Sequence, residues 1–346
     1  MSDPKKSMLW VFGVWLAVFY TVWLGIVIAG NHWHTLREHW GIATAMAMGS
    51  YVAGSTPMGG GTVGFPILVL LFKLPATLGR DFSFAVQSIG MTSATILILC
   101  RRQHLEWVLL RWSLLGSLIG TPLGIFFFAP LIPELAIKIL FAVVWASFGV
   151  LHLRRTNDIC ANIGETGAAH AFDRKVGFAV GLLGGALVAS VTGVGIDMIL
   201  YAVMVLLMRA DLKTAIPSSV VIMAFTSLVG IATKNFFTGV QPGVYENWLA
   251  AAPVVALGAP LGAFIVDKIG RKPTLLVVAV LCVIQFLWTM QQEQARIGWI
   301  GVFLCAAAVA VFNLGFEWLW RVGDKLERRS VPMVISKPEE KSTKLS

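Results

Sequence analysis

The sequence predicts an all-α integral membrane protein with about eight spanning helices plus two glycine-broken helical hairpins, arranged as an inverted repeat. Three observations lead to this prediction. Of the 346 residues, 57% are hydrophobic and only 13% are charged, whereas a soluble domain carries about 25% charged residues. Many apolar runs have the length of about 20 residues that a bilayer-crossing helix needs. Two longer apolar stretches are interrupted by glycine near their middle.

The predicted spanning helices come from apolar runs of suitable length. The run 8–30 exceeds the roughly 7–15 apolar residues of a signal-peptide core, so it predicts a retained first helix. The complete set of runs is 8–30, 82–100, 107–129, 134–152, 216–234, 248–266, 274–290 and 298–320.

Two stretches, 41–73 and 176–208, are too long for one helix and short for two. Glycines break the first within Met58–Gly64 and the second within Thr192–Gly195. Glycine clusters disfavour helix and leave the backbone bare, which a membrane tolerates only in a cavity or inside protein. Each stretch is therefore predicted to be a hairpin that enters and leaves on one side, with two full crossings as the alternative.

The order of one hairpin and three spans occurs twice, which predicts two transporter repeats at 41–152 and 176–290. Because three is an odd number, the second repeat is inverted relative to the first. The positive-inside rule favours cytoplasmic termini, since this orientation puts 21 of the 27 Lys and Arg residues inside. The other predicted segments are an N-terminal helix and outer loop (1–40), a cytoplasmic loop (153–175), a final helix (291–320) and a charged cytoplasmic tail (321–346).

Several classes of function are disfavoured by composition and motifs. The net charge of +9 would suit nucleic acid in a soluble protein, but the cations here lie in short loops and the tail. The predicted partner is the lipid bilayer, with no nucleic acid. The four cysteines form no C-x-x-C pair, so we expect no disulfide framework and no metal site. No cofactor motif, His-Glu-x-x-His or nucleophile motif supports an enzyme.

The first break is a candidate anion site. Gly59, Gly60 and Gly61 interrupt the helix beside a proline, and free N–H groups at the start of the following half-helix point into the gap. Thr62 could add a hydroxyl donor. The alternative is a close helix crossing, in which glycine only permits contact.

The second break offers the same kind of bare backbone at Gly193 and Gly195, with hydroxyl groups on Ser190 and Thr192. Asp197 follows directly and is the only acidic residue predicted to lie deep in a membrane segment. A carboxylate in a membrane is a candidate functional group, so Asp197 is the predicted proton-coupling residue. The alternative is a helix-start carboxylate that the helix dipole stabilises.

Polar residues also open the helix that follows each hairpin. Ser83, Gln87 and Ser219 are candidate substrate-binding residues because they follow the breaks closely. Small hydroxyls in membrane helices more often bond neighbouring helices. Arg80 could attract anions at the outer mouth, or it could simply be an interfacial neighbour of Asp81.

In these motifs the chain resembles the TauE/SafE sulfite exporter family, also called the toluene-sulfonate uptake permease family. The resemblance covers about 41–290 and rests on a glycine-rich turn, an apolar run and a helix starting with Ser in each half. Asp197 stands near the position of a family proline. The resemblance implies proton-linked or facilitated movement of sulfite, sulfonates or related sulfur-containing organic anions, often in bacterial inner membranes.

The predicted function is therefore secondary transport of a small anion, with protons as a possible second substrate and a homo-oligomer as a possible assembly. The alternative is a passive anion or small-solute channel built from two re-entrant hairpins. Coupling of flux to a proton gradient separates the two.

Overall fold

The structure is a computed structural model that describes residues 8–59, 61–162 and 170–330. Predictions that fall on 1–7, Gly60, 163–169 and 331–346, including most of the charged tail, lie outside the described residues. No strand occurs within the described ranges, which confirms the all-α fold class. The helices are α1 (Leu9–Ala29), α2 (Trp33–Glu38), α3 (Trp40–Ser55), α4 (Gly61–Pro66), α5 (Ala76–Cys100), α6 (Trp107–Leu123), α7 (Glu134–Cys160), α8 (His170–Leu183), α9 (Ser190–Thr192), α10 (Ile196–Ala202), α11 (Leu212–Thr233), α12 (Val244–Ile269) and α13 (Arg271–Ser330).

Short π-helical segments continue several of these helices. They follow α4, α6, α8, α10 and α11 directly, at Ile67–Leu71, Gly124–Phe128, Gly184–Ala189, Val203–Leu207 and Lys234–Thr238. A 3₁₀ turn at Ala129–Leu131 follows the second of them. Such segments widen the helix locally and are common at functional sites.

Eight helical stretches of the described chain are long and apolar enough to cross a membrane, as predicted. The eight stretches differ from the eight predicted spans in two places. The first arm of the second hairpin is itself long enough to cross a membrane, and the last two predicted spans lie in one continuous stretch. The eight are Leu9–Ala29, Ala76–Cys100, Trp107–Leu131, Glu134–Cys160, Phe172–Thr192, Leu212–Thr238, Val244–Val266 and Arg271–Glu327.

The long helix α13 is divided at Gly298, whose φ of 66° and ψ of 175° are not helical. Both of its halves pack on the same part of α7. Gly149 of α7 approaches Cys282 in the first half, and the Ser147 carbonyl accepts a hydrogen bond from Asn313 in the second at 3.3 Å. The chain therefore reverses at Gly298, and the two predicted spans are the two arms of a helical hairpin.

The first broken stretch enters and leaves at one end of the molecule. Helix α3 runs inward from Trp40, and the chain returns through α4 and its π-helical continuation. A Cβ on Gly41, near the start of α3, would lie 3.3 Å from the Phe72 ring at the end of the return path. The stretch is thus a hairpin whose two ends lie together; that it is re-entrant and does not cross fully twice stays a prediction.

The second broken stretch opens at the opposite end. Helix α7 starts beside α5, where the Glu134 carboxylate accepts from the Ala76 and Thr77 N–H groups, and it ends at Cys160. Asn162 follows and donates to the Val205 carbonyl at 3.0 Å, on the return arm of the second hairpin. Opposite openings are what an inverted repeat requires. The repeat relation and the proposed segment boundaries stay predictions.

Helix α5 lies between the two hairpins and carries the first polar residues of the candidate site. Its sequence predicted a span from residue 82, but the helix begins at Ala76. The apolar run starts late because Arg80 and Asp81 lie inside the span, where both are buried. Asp197 is therefore not the only acidic residue deep in the helical bundle, since Asp81 is also fully buried.

Candidate functional site

The first break brings a bare glycine against two polar side chains. Helix α3 ends at Ser55 and the backbone becomes extended at Thr56. Gly59 then adopts a φ of 62°, in the left-handed region that favours glycine. A Cβ on Gly59 would lie 2.7 Å from Gln87 Oε1 and 2.8 Å from Asp197 Oδ2. Only a residue without a side chain allows this approach.

The structure shows less about the other residues predicted at the first break, which are Gly60, Gly61 and Thr62. Gly60 lies outside the described residues. Gly61 begins α4, and Thr62 follows it within the helix, with its side chain outside the described part. The helix start at Gly61 is the feature that the sequence predicted for this turn.

The second break packs on the same helix, α5. Gly193 and Gly195 both have positive φ, 78° and 98°. A Cβ on Gly193 would collide with the Arg80 carbonyl oxygen and would lie 2.9 Å from the Ser83 Cβ. Gly195 precedes α10, and Asp197 stands in the first turn of that helix. The break therefore holds the start of α10 against α5.

Two buried acceptor atoms meet at Gly59. Asp197 is fully buried; its Oδ1 accepts from the Met198 N–H at 3.0 Å. Its Oδ2 has no hydrogen-bond partner among the described residues. Gln87 Oε1 is equally unpartnered. Buried polar atoms without partners are costly and rare, so this point requires a hydrogen-bond donor.

The orientation of the Gln87 amide supports this account. Its Nε2 donates to the Ser83 carbonyl at 3.3 Å and to the Gly193 carbonyl at 3.4 Å. Turning the amide over would put an oxygen against both carbonyl oxygens. The acceptor of Gln87 therefore faces the point at Gly59 that Asp197 Oδ2 also faces, and the missing donor is a proton, a water or a hydrogen carried by a ligand.

The predicted hydroxyl donors are engaged within their own helices. Ser83 donates to the Gly79 carbonyl at 2.8 Å, and Ser219 donates to Ile216 at 2.8 Å. Ser190 and Thr192 donate in the same way, to Ala186 at 2.6 Å and to Val188 at 2.9 Å. Such bonds to the preceding turn are common for buried Ser and Thr. Their hydrogens are thus already used in this conformation.

The structure brings together part of the predicted site. Gly59, Ser83, Gln87, Gly193 and Asp197 converge at the two breaks. Three other predicted residues make contacts elsewhere. A Cβ on Gly124, directly after α6, would meet Ser190, and a Cβ on Gly195 would meet Trp145. Ser219 bonds its own helix.

An aromatic column that the sequence analysis missed connects the two hairpins. The Phe65 ring of α4 stacks on Phe141 with centroids 4.2 Å apart, and Phe141 stacks on Trp145 at 3.9 Å. A Cβ on Gly195 would lie 3.1 Å from that Trp145 ring. The only local signal was the spacing of four residues between Phe141 and Trp145 in α7, which places both on one helical face.

The packing around the breaks is closed. The cavity beside Gln87 has a volume of about 10 Å³ and is lined by Met46, Ser50, Gly90 and Val255 among others. This volume holds at most one water. Met58, Thr192 and Asp197 at the breaks are fully buried, so a solute larger than water can reach them only if the hairpins and α5 move apart.

Comparison with known proteins gives a family assignment. No curated protein and no solved structure shows a significant match to the chain. The family model described as "Sulfite exporter TauE/SafE" matches residues 41–289. The matched region contains both hairpins and the point where Gly59, Gln87 and Asp197 meet, and it confirms the resemblance drawn over 41–290. The chain therefore belongs to the TauE/SafE sulfite exporter family.

Proposed function

We propose that this protein is a secondary transporter that moves a small anion together with a proton. The substrate class is sulfite, a sulfonate or a related sulfur-containing organic anion. The family description and the eight apolar helices support a multi-pass membrane transporter. The description names an exporter, which disfavours both an enzyme and the passive channel.

The observation that carries proton coupling is the meeting of two unpartnered acceptors, Asp197 Oδ2 and Gln87 Oε1, at Gly59. A proton on Asp197 Oδ2 supplies the donor that both atoms lack. It also removes a buried negative charge, which is costly in a low-dielectric interior. Without the proton, the carboxylate repels an anion at the breaks. Protonation of Asp197 therefore favours anion binding, so proton and anion move in the same direction.

The backbone supplies donors for the anion. Helix α10 starts directly after Gly195, and the return arm of the first hairpin starts at Gly61. Such starts carry N–H groups without a partner inside the helix and the positive end of the helix dipole; at α10 the Met198 N–H already donates to Asp197 Oδ1. Ser83 and Gly193 lie beside them on α5 and the second break. The proposed substrate contacts are these backbone groups, with the Gln87 amide as a neighbour.

The closed packing supports a carrier in preference to a channel. Gly193 packs on α5, and Phe65, Phe141 and Trp145 stack between the hairpins. A passive channel needs a continuous lumen in its conducting state, whereas a carrier needs a closed barrier that reopens on the other side. The proposal is therefore alternating access, with the two hairpins and α5 forming the barrier.

The first test is flux into proteoliposomes with and without a pH gradient. Methanesulfonate suits the assay because it stays ionised and does not cross lipid as a neutral acid. We expect saturable uptake, and with an acidic exterior we expect methanesulfonate to accumulate inside the liposomes, on the side of higher pH. For one proton per monovalent anion, the limit is about tenfold accumulation per pH unit, since each tenfold ratio corresponds to about 1.4 kcal/mol.

Empty liposomes and chloride serve as controls in that assay. If methanesulfonate only equilibrates across the membrane and does not accumulate under the same gradient, the proton-coupled carrier is rejected in favour of the channel. Absence of flux for methanesulfonate, sulfite, taurine and sulfoacetate alike would remove the anion-transport proposal itself.

The proposed orientation places both termini in the cytoplasm of a bacterial cell, with the Cys160 end of α7 on the same side. The charge asymmetry of 21 of 27 cationic residues supports it. We expect a reporter active only in the cytoplasm to work when fused after Cys160 and after Ser346. Activity of a periplasm-specific reporter after Ser346 would reverse the orientation.

A further inference from the structure

We propose that Arg80 and Lys234 form a second binding site for a small oxyanion, separate from the glycine breaks. The site lies at the end of the molecule where the first hairpin opens, which the proposed orientation places outside. It rests on the proposed function in one respect: it would hold the same anion on the outer side of the breaks.

The site is built around the carboxylate of Asp81. Its Oδ1 accepts from Arg80 Nε at 2.8 Å. Its Oδ2 accepts from the Gln241 N–H at 3.1 Å and lies 3.2 Å from Lys234 Nζ. The exposed fractions of the side chains are 7% for Arg80, 7% for Lys234 and 0% for Asp81. The cluster is therefore buried, with limited access left at its two cations.

The charges in this cluster do not balance. Two cations face one carboxylate, and the described residues provide no second acidic partner for either cation. Glu134, at the start of α5, is engaged by the Ala76 and Thr77 N–H groups. An uncompensated buried charge is costly. A bound anion would supply the missing negative charge.

Unused donors point to the class of ligand. Within the described chain, the only hydrogen bond of the Arg80 guanidinium is the one from Nε, so both Nη groups are available. Lys234 Nζ pairs only with Asp81 and has further hydrogens to donate. A guanidinium edge matches two oxygens of one oxyanion, and a lysine adds a point charge. Sulfite, a sulfonate or a carboxylate fits this arrangement.

The position of the site connects it to the breaks. Arg80, Ser83 and Gln87 are spaced by three and four residues, so they share one face of α5. The carbonyl of Arg80 packs on Gly193, and Gln87 reaches Gly59. Seven residues of helix correspond to about 10 Å. An anion held at Arg80 is thus about two helical turns from the proposed transport site.

The competing explanation is an ion-pair cluster that only stabilises the fold. Charge variants separate the two explanations because they predict opposite orders. Arg80→Gln and Lys234→Gln each leave one cation paired with Asp81, so the cluster is balanced. Asp81→Asn leaves two cations and no carboxylate. An anion site predicts the tightest binding in Asp81→Asn, whereas a structural cluster predicts no increase in binding.

The experiment measures thermal unfolding of the purified full chain in detergent while chloride is replaced by methanesulfonate at constant ionic strength. We expect a rise in Tm for the wild type, because a ligand that binds the folded state stabilises it. The apparent affinity should fall at least tenfold in Arg80→Gln and Lys234→Gln and rise at least tenfold in Asp81→Asn. Lys73→Gln is the matched control, since Lys73 is an exposed cation shortly before α5, and it should behave as the wild type.

Each outcome decides the inference. A wild-type affinity in Arg80→Gln, or a weaker affinity in Asp81→Asn, would overturn it; if Asp81→Asn does not fold, the two balanced variants decide. Flux assays keep the proposed function separate. Wild-type flux with an unchanged KM in Arg80→Gln would reject this site and leave the transporter intact. If affinity falls in Arg80→Gln and Lys234→Gln and rises in Asp81→Asn, but the protein shows no flux, the site is retained and the transporter is rejected.

Discussion

Replacing Asp197 by Asn is expected to abolish accumulation driven by a pH gradient while leaving exchange of anion across the membrane. Asn keeps the shape of the side chain and can donate from its amide to Gln87 Oε1, but it cannot release a proton. The exchange step needs only the neutral, hydrogen-bonded form, which Asn resembles. Proteoliposome uptake of methanesulfonate, measured with and without an imposed gradient, is the test. The expected result is loss of the gradient effect, from about tenfold per pH unit to none.

Glu317→Gln is the control for the Asp197 experiment. Glu317 also lies in an apolar span, but its carboxylate is paired with Arg155 at 2.6 Å and with Arg321 at 3.5 Å. It should keep gradient-driven uptake at matched protein levels. If Asp197→Asn also keeps its full response to the gradient, Asp197 is a helix-start carboxylate stabilised by the dipole of α10 and proton coupling must lie elsewhere.

Replacing Gly59 by Val is expected to lower transport at least tenfold while membrane insertion stays intact. The substitution has two effects. A β-branched residue at a φ of 62° is strained, and the new side chain occupies the point shared by Gln87 Oε1 and Asp197 Oδ2. Either those two polar ends move apart or the backbone shifts. Both results disrupt the proposed site. We expect the same loss of transport, with intact membrane insertion, when Gly60 or Gly61 is replaced by Leu.

Gly239→Val separates strain from occupation of the site. Gly239 has a similar φ of 82°, and a Cβ there would have no atom within 4 Å. Gly239 has a ψ of 149°, and a non-glycine residue at such a backbone conformation costs about 1–3 kcal/mol. We therefore expect both variants to lose stability, and only Gly59→Val to lose flux per molecule. Equal flux in the two variants would take the first break out of the transport route.

Much of the candidate site could be predicted because its residues contrast with their surroundings. Asp197 and Gln87 are polar residues in apolar runs, and Gly59 and Gly193 break helices. Such signals need no knowledge of distant neighbours. The convergence of these residues was less certain from the sequence, because the intervals between them are long.

Three features were not predicted, two because they join distant residues and one because a local hydrogen bond replaced the expected contact. The stacking of Phe65 on Phe141 joins residues far apart in the chain. Lys234 ends the predicted span 216–234, yet it pairs with Asp81 of α5. The hydroxyl groups of Ser83 and Ser190 were expected to face a ligand, but each bonds the preceding turn of its own helix. Helix geometry makes that local acceptor available before any distant one.

The sequence by itself determined the membrane setting, the helical class, the two glycine breaks and the family, because each depends on local composition or on motifs within one segment. The tertiary structure decided which groups meet. It brought Asp197 to Gln87 through Gly59, reversed α13 at Gly298, and enclosed two cations with one carboxylate at Asp81. These meetings depend on how close two backbones can approach. That distance is set by the packing of helices from distant parts of the chain, through glycines whose missing side chains leave the necessary room.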